Sequence, residues 1–450
     1  MISGRINVRH LAGLINVVFI IHYNPVKILN FCFMATIPHD KSLDNTISFL
    51  KNGYDFIHKK REENHTNLLT VRLMGMNVVC LGGEEGARLF YNPQLFQRTG
   101  AVPKRVQKTL TGVDAIHTLD GEKHHQRKEM FLSLMSQQSI ERLMDCMRMQ
   151  WKSFIKKWER MCEVKLFTEV QQLTCIAVCQ WAGVPLAETE VEHRAQDFTA
   201  MIDAFGAVGP RHWRGKAARS RTEEWIMYVI EQLRNGKLIA EEGTPAAVIG
   251  FHKEENGEML DTNMAAIELI NILRPTVAIS YYITFGAVAL YQHPDCIREL
   301  EEKNAEYLEW FVQEVRRFYP FAPFMGALVR EDFEWQGYKF EKGKTVLLDI
   351  YGTNHDGQLW QRPEEFLPER FNNRQENEFN FIPQGGGDVH SGHRCPGERI
   401  TVETTKIAVD FLVNHMLYDV PPQDLSHSLQ RMPTFPESGF IINNIKAKDR

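Results

Sequence analysis

A mostly α-helical fold with minor β sheet is what this sequence predicts, and three observations carry that reading. From about residue 122 to 310 the apolar residues recur at helical spacing with little interruption. Runs with strand character are confined to 69–81, 326–349 and 438–445. No internal repeat or low-complexity linker breaks the chain, whose 450 residues are ample for a large core.

Taken in order, the first segment is anomalous. Leu11 to Ile21 is an apolar run with basic residues ahead of it. It is too short for the ~30 Å of a bilayer's hydrocarbon and lacks a small-residue cleavage site. Met34 is followed by polar capping residues and an amphipathic helix, which reads as a natural beginning. Residues 1–33 are therefore expected to be an extension, either not native or disordered, with weak membrane attachment as the alternative.

Leu69 to Met74 and Asn77 to Leu81, parted by Gly75, predict a hairpin. The acidic residues of Gly82-Gly-Glu-Glu-Gly86 argue against a phosphate cradle, so a turn opening a helix is expected. Amphipathic helices follow near 140–160, 167–182, 189–205 and 221–234. The run from Arg211 to Arg221 reads as a solvated loop that would attract anionic ligands.

From about Asp261 to Tyr291 the chain is apolar on nearly every side, which predicts a helix threaded through the core. Its middle holds Arg274-Pro275. A proline there costs ~3 kcal/mol, and an unpaired buried arginine costs more. Either a protein carboxylate beside a kink offsets the arginine, or a carboxylate arrives with a ligand.

Near the end stands Phe381-Ile-Pro-Gln-Gly-Gly-Gly-Asp-Val-His-Ser-Gly-His-Arg-Cys395-Pro-Gly-Glu398. Pro396 suits the first turn of a helix, so the thiol is expected where backbone N–H groups gather and favour a thiolate. Such a cysteine is either a buried apolar residue or a metal ligand. Upstream, Glu314-Val-Arg-Arg317 sets acid and base on one helical face, and Pro368-Glu-Arg370-Phe371 follows. Alone, such a pair would be a solvated helix pair.

A formal charge of −5 argues against a general nucleic-acid binder. Eight cysteines at irregular spacings, without a C-x-x-C pair, point to reduced thiols and a cytoplasmic protein.

In this order, Glu314 with Arg317, Arg370 and the Cys395 loop resemble the core of the cytochrome P450 family. The resemblance runs from about Met34 to the C-terminus and implies one haem-thiolate catalytic domain over residues 34–450, carrying haem b with Cys395 on the iron. Ordinary members carry an acid and an alcohol at the kink of the central helix. Arg274-Pro275 in their place, with Gln384-Gly-Gly-Gly387, resembles the fatty-acid peroxygenase branch, as do Ala115-Ile-His-Thr-Leu-Asp-Gly121, Asp203-Ala-Phe-Gly-Ala-Val-Gly-Pro210 and Tyr319-Pro-Phe-Ala-Pro-Phe324.

That branch implies H2O2 and a fatty acid as reactants and no obligate redox partner. Neither nucleic acid nor a membrane is expected as a partner. Arg274, beside Pro275, would anchor the substrate carboxylate, and pinning it would leave only the α and β carbons within reach of oxidation. Products would be 2- and 3-hydroxy acids or, by decarboxylation, terminal alkenes. The resemblance gives His117 a place in the distal pocket, where hydroxylating members tend to carry Gln and an alkene-forming member carries His. That member also has an aromatic residue where this chain has Thr111. It further implies haem contacts from His124, Arg127, Lys104, Arg105 and Gln384, while Ile202, Phe205 and Phe321 would line a channel for the acyl tail. The alternatives are a redox-partner-dependent monooxygenase and, more remotely, a non-catalytic haem sensor or carrier.

Overall fold

The computed structural model describes residues 35–302 and 304–448, so the expectation for residues 1–33 lies outside the described residues. Long helices pack around the helix Thr262–Ala278 and its continuation Ser280–Gln292. A five-stranded sheet lies to one side, in the order Leu68–Leu73, Met76–Leu81, Thr345–Asp349, Phe324–Val329 and Phe96–Gln97. Its hairpin has the expected antiparallel register, Leu69 opposite Cys80 and Leu73 opposite Met76. The second hairpin strand runs parallel to Thr345–Asp349, which brings residues more than 260 positions apart into one sheet. A three-stranded sheet is built from Val164–Lys165, Ile441–Ala447 and Met416–Asp419.

The central helix starts where Asp261 accepts a hydrogen bond from the Met264 N–H at 2.9 Å. It is buried along nearly its whole length because both faces are covered. The helices Leu166–Ala182, Val191–Asp203 and Pro210–Arg234 pack against its first half, and Leu166–Ala182, Ala305–Phe318 and Glu398–Asp410 against its second. Thr262–Gln292 is long and apolar enough to cross a membrane, yet 94% of its most apolar window is buried inside the protein. The expected single helix is interrupted at Ile279, four residues beyond Pro275, where the Ile279 N–H bonds the Thr276 carbonyl at 3.2 Å, one residue short of the α-helical partner.

One expectation fails in this region. Residues 211–221 are not a loop but the first half of the helix Pro210–Arg234, with Pro210 in its first turn. Three of their four arginines are paired with acids. Arg211 grips Asp203 with bonds of 3.0 Å, Arg221 pairs with Asp197, and Arg219 reaches Glu223 at 2.6 Å.

The acid and base on Ala305–Phe318 are fully buried, not solvated. Arg317 makes two bonds to Glu314, at 2.7 and 2.8 Å, and also donates to the carbonyls of Asn354 and Glu365. Arg370 adds a third charged donor at 3.1 Å. These bonds fix the helix to the segment that precedes the Cys395 loop. Glu314→Ala would leave two guanidiniums unpaired and is expected to cost about 3–5 kcal/mol of stability, read from the urea midpoint; a loss below about 1 kcal/mol would reduce the cluster to a surface pair.

Candidate active site

The Cys395 loop is held open by glycine. Gly385 and Gly387 adopt φ of +94° and +80°, and a Cβ on Gly386 would lie 2.7 Å from the Glu378 carbonyl oxygen. Gln384 is fastened at both ends. Its side-chain N–H2 donates to Thr401 at 3.0 Å and lies 3.8 Å from the Cys395 sulfur, while its oxygen receives Arg316 at 3.1 Å. The Cys395 N–H donates to the Gln384 carbonyl at 3.2 Å. Glu398 gathers Arg394, at 2.7 Å, and Arg316.

The expected helix start differs. Pro396 lies in a turn, and the helix begins at Glu398. Burial and the Glu398 carboxylate push the Cys395 thiol up, against the opposing pull of the Gly397 N–H and of Lys128 and Arg316. The fold alone does not supply the expected stabilisation of a thiolate. A metal bound to sulfur would.

Opposite this loop stands the kinked helix. Arg274 is buried, 8% exposed, and among the described residues its one hydrogen bond goes to the Asn271 side-chain oxygen at 3.3 Å. Its Nε has no partner. Burial and the nearby Arg219 cation push its pKa down to about 9, which still leaves a cation at neutral pH, and it feels the Cys395 sulfur. No protein carboxylate pairs with it among the described residues, so the first of the two readings of this arginine does not hold.

His117 sits on the short turn Ile116–Thr118. Its side chain keeps accessible surface, yet protein lies close enough around it to desolvate the ring. Burial, then Arg274, His393, Arg219 and Lys128, push its pKa down to about 3. It is a neutral imidazole at physiological pH.

The expected haem contacts separate. His124 is buried, its ring 4.0 Å from that of His393, and burial pushes its pKa down to about 3. Arg127, in contrast, is engaged elsewhere, by Glu268 at 2.7 Å and Glu254 at 3.0 Å. Lys104 and Arg105 are exposed, and Arg105 donates to the Ala207 carbonyl. Of the two residues preceding the cysteine, His393 faces Asp120 and Arg394 turns to Glu398. The basic residue beside the cysteine loop is one the sequence reading missed. Lys128, buried, donates to the carbonyls of Gly392, at 3.0 Å, and Arg394. The expected Arg127 is its immediate neighbour, about 100° away around the helix; both are buried, and only packing decides which of the two reaches the cysteine loop.

Ile202 and Phe321 meet in one apolar cluster with Phe167, Ala278, Tyr281 and Phe435, beside the helix kink. Phe205 is half-buried nearby, its ring 6.3 Å from Phe324. Glu268, Asn271 and Arg219 were also missed. Glu268, Asn271 and Arg274 recur every three residues, a polar stripe on an otherwise apolar helix, and that spacing was a usable signal.

This arrangement fits a haem. The Cys395 sulfur, with an amide N–H close by, is near enough to act electrostatically on the Arg274 guanidinium, which has no acidic partner among the described residues and in turn acts on the neutral His117 imidazole. His124, against the His393 ring, and Lys128, on the Gly392 and Arg394 carbonyls, stand beside the cysteine loop as candidate donors for propionates.

A family model described as cytochrome P450 matches residues 253–443. Among curated proteins, a putative cytochrome P450 120 of Synechocystis sp. is 24% identical over 77% of this chain and 82% of its own. Rhazimal synthase of Alstonia scholaris is 26% identical, and the chain matches only 38% of that relative's length. Solved structures are more similar. Cytochrome P450EX alpha (CYP152N1) with myristic acid is 42% identical, covering 92% of this chain and 100% of that one, with a TM-score of 0.89. Cytochrome P450SP alpha (CYP152B1), as a single-residue mutant, is 42% identical over 91% and 100%, with a TM-score of 0.88. A single-residue variant of cytochrome P450 OleT in complex with arachidonic acid is 37% identical over 92% and 100%, with a TM-score of 0.90.

Proposed function

This chain belongs to the cytochrome P450 family, in its fatty-acid peroxygenase branch, and from that premise we propose that it oxidises long-chain fatty acids at the α and β carbons with H2O2. The products are 2- and 3-hydroxy acids and, through oxidative decarboxylation, terminal alkenes. One observation carries this reading: Arg274, buried in the central helix beside Pro275, has no carboxylate of the protein's own among the described residues.

Cys395 would hold the iron of haem b through its sulfur, with His124 and Lys128 toward its propionates and Gln384 donating to the sulfur. When bound, haem b supplies the redox centre at which peroxide oxygen becomes an oxidant, with electron donation from the thiolate. Arg274 binds the substrate carboxylate through a charge-assisted contact strengthened by burial. Held there, the carboxylate takes the place of the acid that ordinary members carry at this kink, able to accept and return a proton. Pro275, inside the helix beside it, has no N–H to give the Asn271 carbonyl. Ile202, Phe205 and Phe321 offer the acyl chain an apolar wall and exclude water.

Purified protein mixed with H2O2 and medium- to long-chain acids, without any reductase, is expected to yield hydroxy acids and alkenes. Turnover only with NAD(P)H and redox partners would favour the monooxygenase alternative.

His117 sets the branch between hydroxylation and decarboxylation. His117→Gln is expected to lower the alkene fraction while total turnover stays within about tenfold, roughly 1.4 kcal/mol. Because the imidazole stays neutral until the pH falls toward 3, the product ratio of the native protein should be flat through the neutral range. Gas chromatography at several pH values checks both statements. A ratio that shifts near pH ~6.5, the ordinary histidine value, would mean that His117 works as a cation.

A further inference from the structure

We infer that Glu268 is a positioning residue for the fatty-acid carboxylate, orienting Arg274 and His117 from one buried point while Arg127 neutralises its charge. The inference rests on the anchoring role proposed for Arg274. Glu268 is fully buried and accepts three hydrogen bonds. One oxygen takes the Ile116 N–H at 2.9 Å and Arg127 at 2.7 Å; the other takes the Asn271 N–H2 at 3.0 Å.

Each bond has a consequence at the site. Ile116 precedes His117, so the first bond fixes the turn that presents the imidazole. Asn271 donates both to Glu268 and to the Thr111 carbonyl, at 2.9 Å, so both acceptors lie on its nitrogen side. Its oxygen is thereby turned to Arg274, at 3.3 Å. Neither Arg274 nor His117 touches Glu268 in the hydrogen-bond network, yet both are aimed by it.

Arg127 supplies the electrostatic half. A bare carboxylate two steps from Arg274 would repel an incoming fatty-acid anion and compete for the guanidinium. Paired with Arg127, which Glu254 holds from the outer side at 3.0 Å, it does neither. The cation of Arg274 stays free for substrate.

Glutamine at 268 is a sharp probe because it keeps the shape and cannot keep the pattern. Both Glu268 oxygens face donors, so one end of the amide must meet N–H with N–H2. Glu268→Gln and Asn271→Ala holoenzymes would each be titrated with a fatty acid and with the alcohol of equal chain length, following the Soret shift. The carboxylate affinity is expected to fall about tenfold in both, the alcohol affinity to stay within about twofold, and the ratio of 2- to 3-hydroxy products to move. Equal losses for acid and alcohol, or an unchanged acid affinity, would overturn the inference. If Glu268→Gln fails to load haem, Asn271→Ala decides alone, since it leaves the Arg127 pair intact. A native enzyme that bound acid no better than alcohol would instead refute the anchor at Arg274, and this inference with it.

Discussion

Arg274→Ala is expected to reduce peroxide-driven fatty-acid oxidation by at least about a hundredfold, roughly 2.7 kcal/mol, while haem content and the spectrum of the ligand-free protein stay normal. The guanidinium is buried, where the loss of one partner of a charged contact is poorly compensated by water. Both its tasks vanish together, because a carboxylate that is not held cannot serve as the proton-handling group. Lysine should recover little: a point charge on a flexible stem cannot reproduce a planar fork that Asn271 already orients. The measurement is turnover with saturating acid, beside a spectral titration. Near-normal oxidation in Arg274→Ala would refute catalysis assisted by the substrate's own carboxylate.

Cys395→Ala should be the more complete loss. Among the described cysteines, Cys80, Cys146, Cys175, Cys179 and Cys296 are buried, Cys162 is exposed, and only Cys395 belongs to the glycine-rich loop with the Gln384 amide beside it. The variant is expected to lack the red-shifted Soret band of the reduced carbon monoxide complex and to drop at least about a thousandfold in turnover, roughly 4 kcal/mol, since the electron donation that assists O–O cleavage is gone. Gln384→Ala should retain the band and weaken a single contact to sulfur. A thiolate-type band surviving in Cys395→Ala would assign the ligand elsewhere.

Much of the architecture was legible because periodicity and punctuation are local. The hairpin, the apolar central helix with its proline, and the order of Glu314, Arg317, Arg370 and Cys395 can all be read from spacing and residue type. The run 211–221 was misread for a definite reason. Its basic residues resemble a solvated segment, and only Asp203 and Asp197 on the preceding helix show that Arg211 and Arg221 are paired. Lys128 and Arg127 make the same point at the site. Composition marks both as candidates, and the rotation between neighbours sends one to the cysteine loop and the other to Glu268.

By itself, then, the sequence determined what depends on the chain's near neighbours: a helical core with a minor sheet, a cysteine in a glycine loop, and an arginine that nothing nearby in the chain could neutralise. Only the tertiary structure decided which charges are already matched and which remain open. Arg127, Arg211 and Arg394 proved to be engaged by acids, and among the described residues Arg274 did not. The reason is physical. Helical spacing fixes the direction of a side chain relative to its own helix, whereas the partner that neutralises or desolvates it is supplied by elements distant in sequence, as with Glu268 for Arg127 across 141 positions.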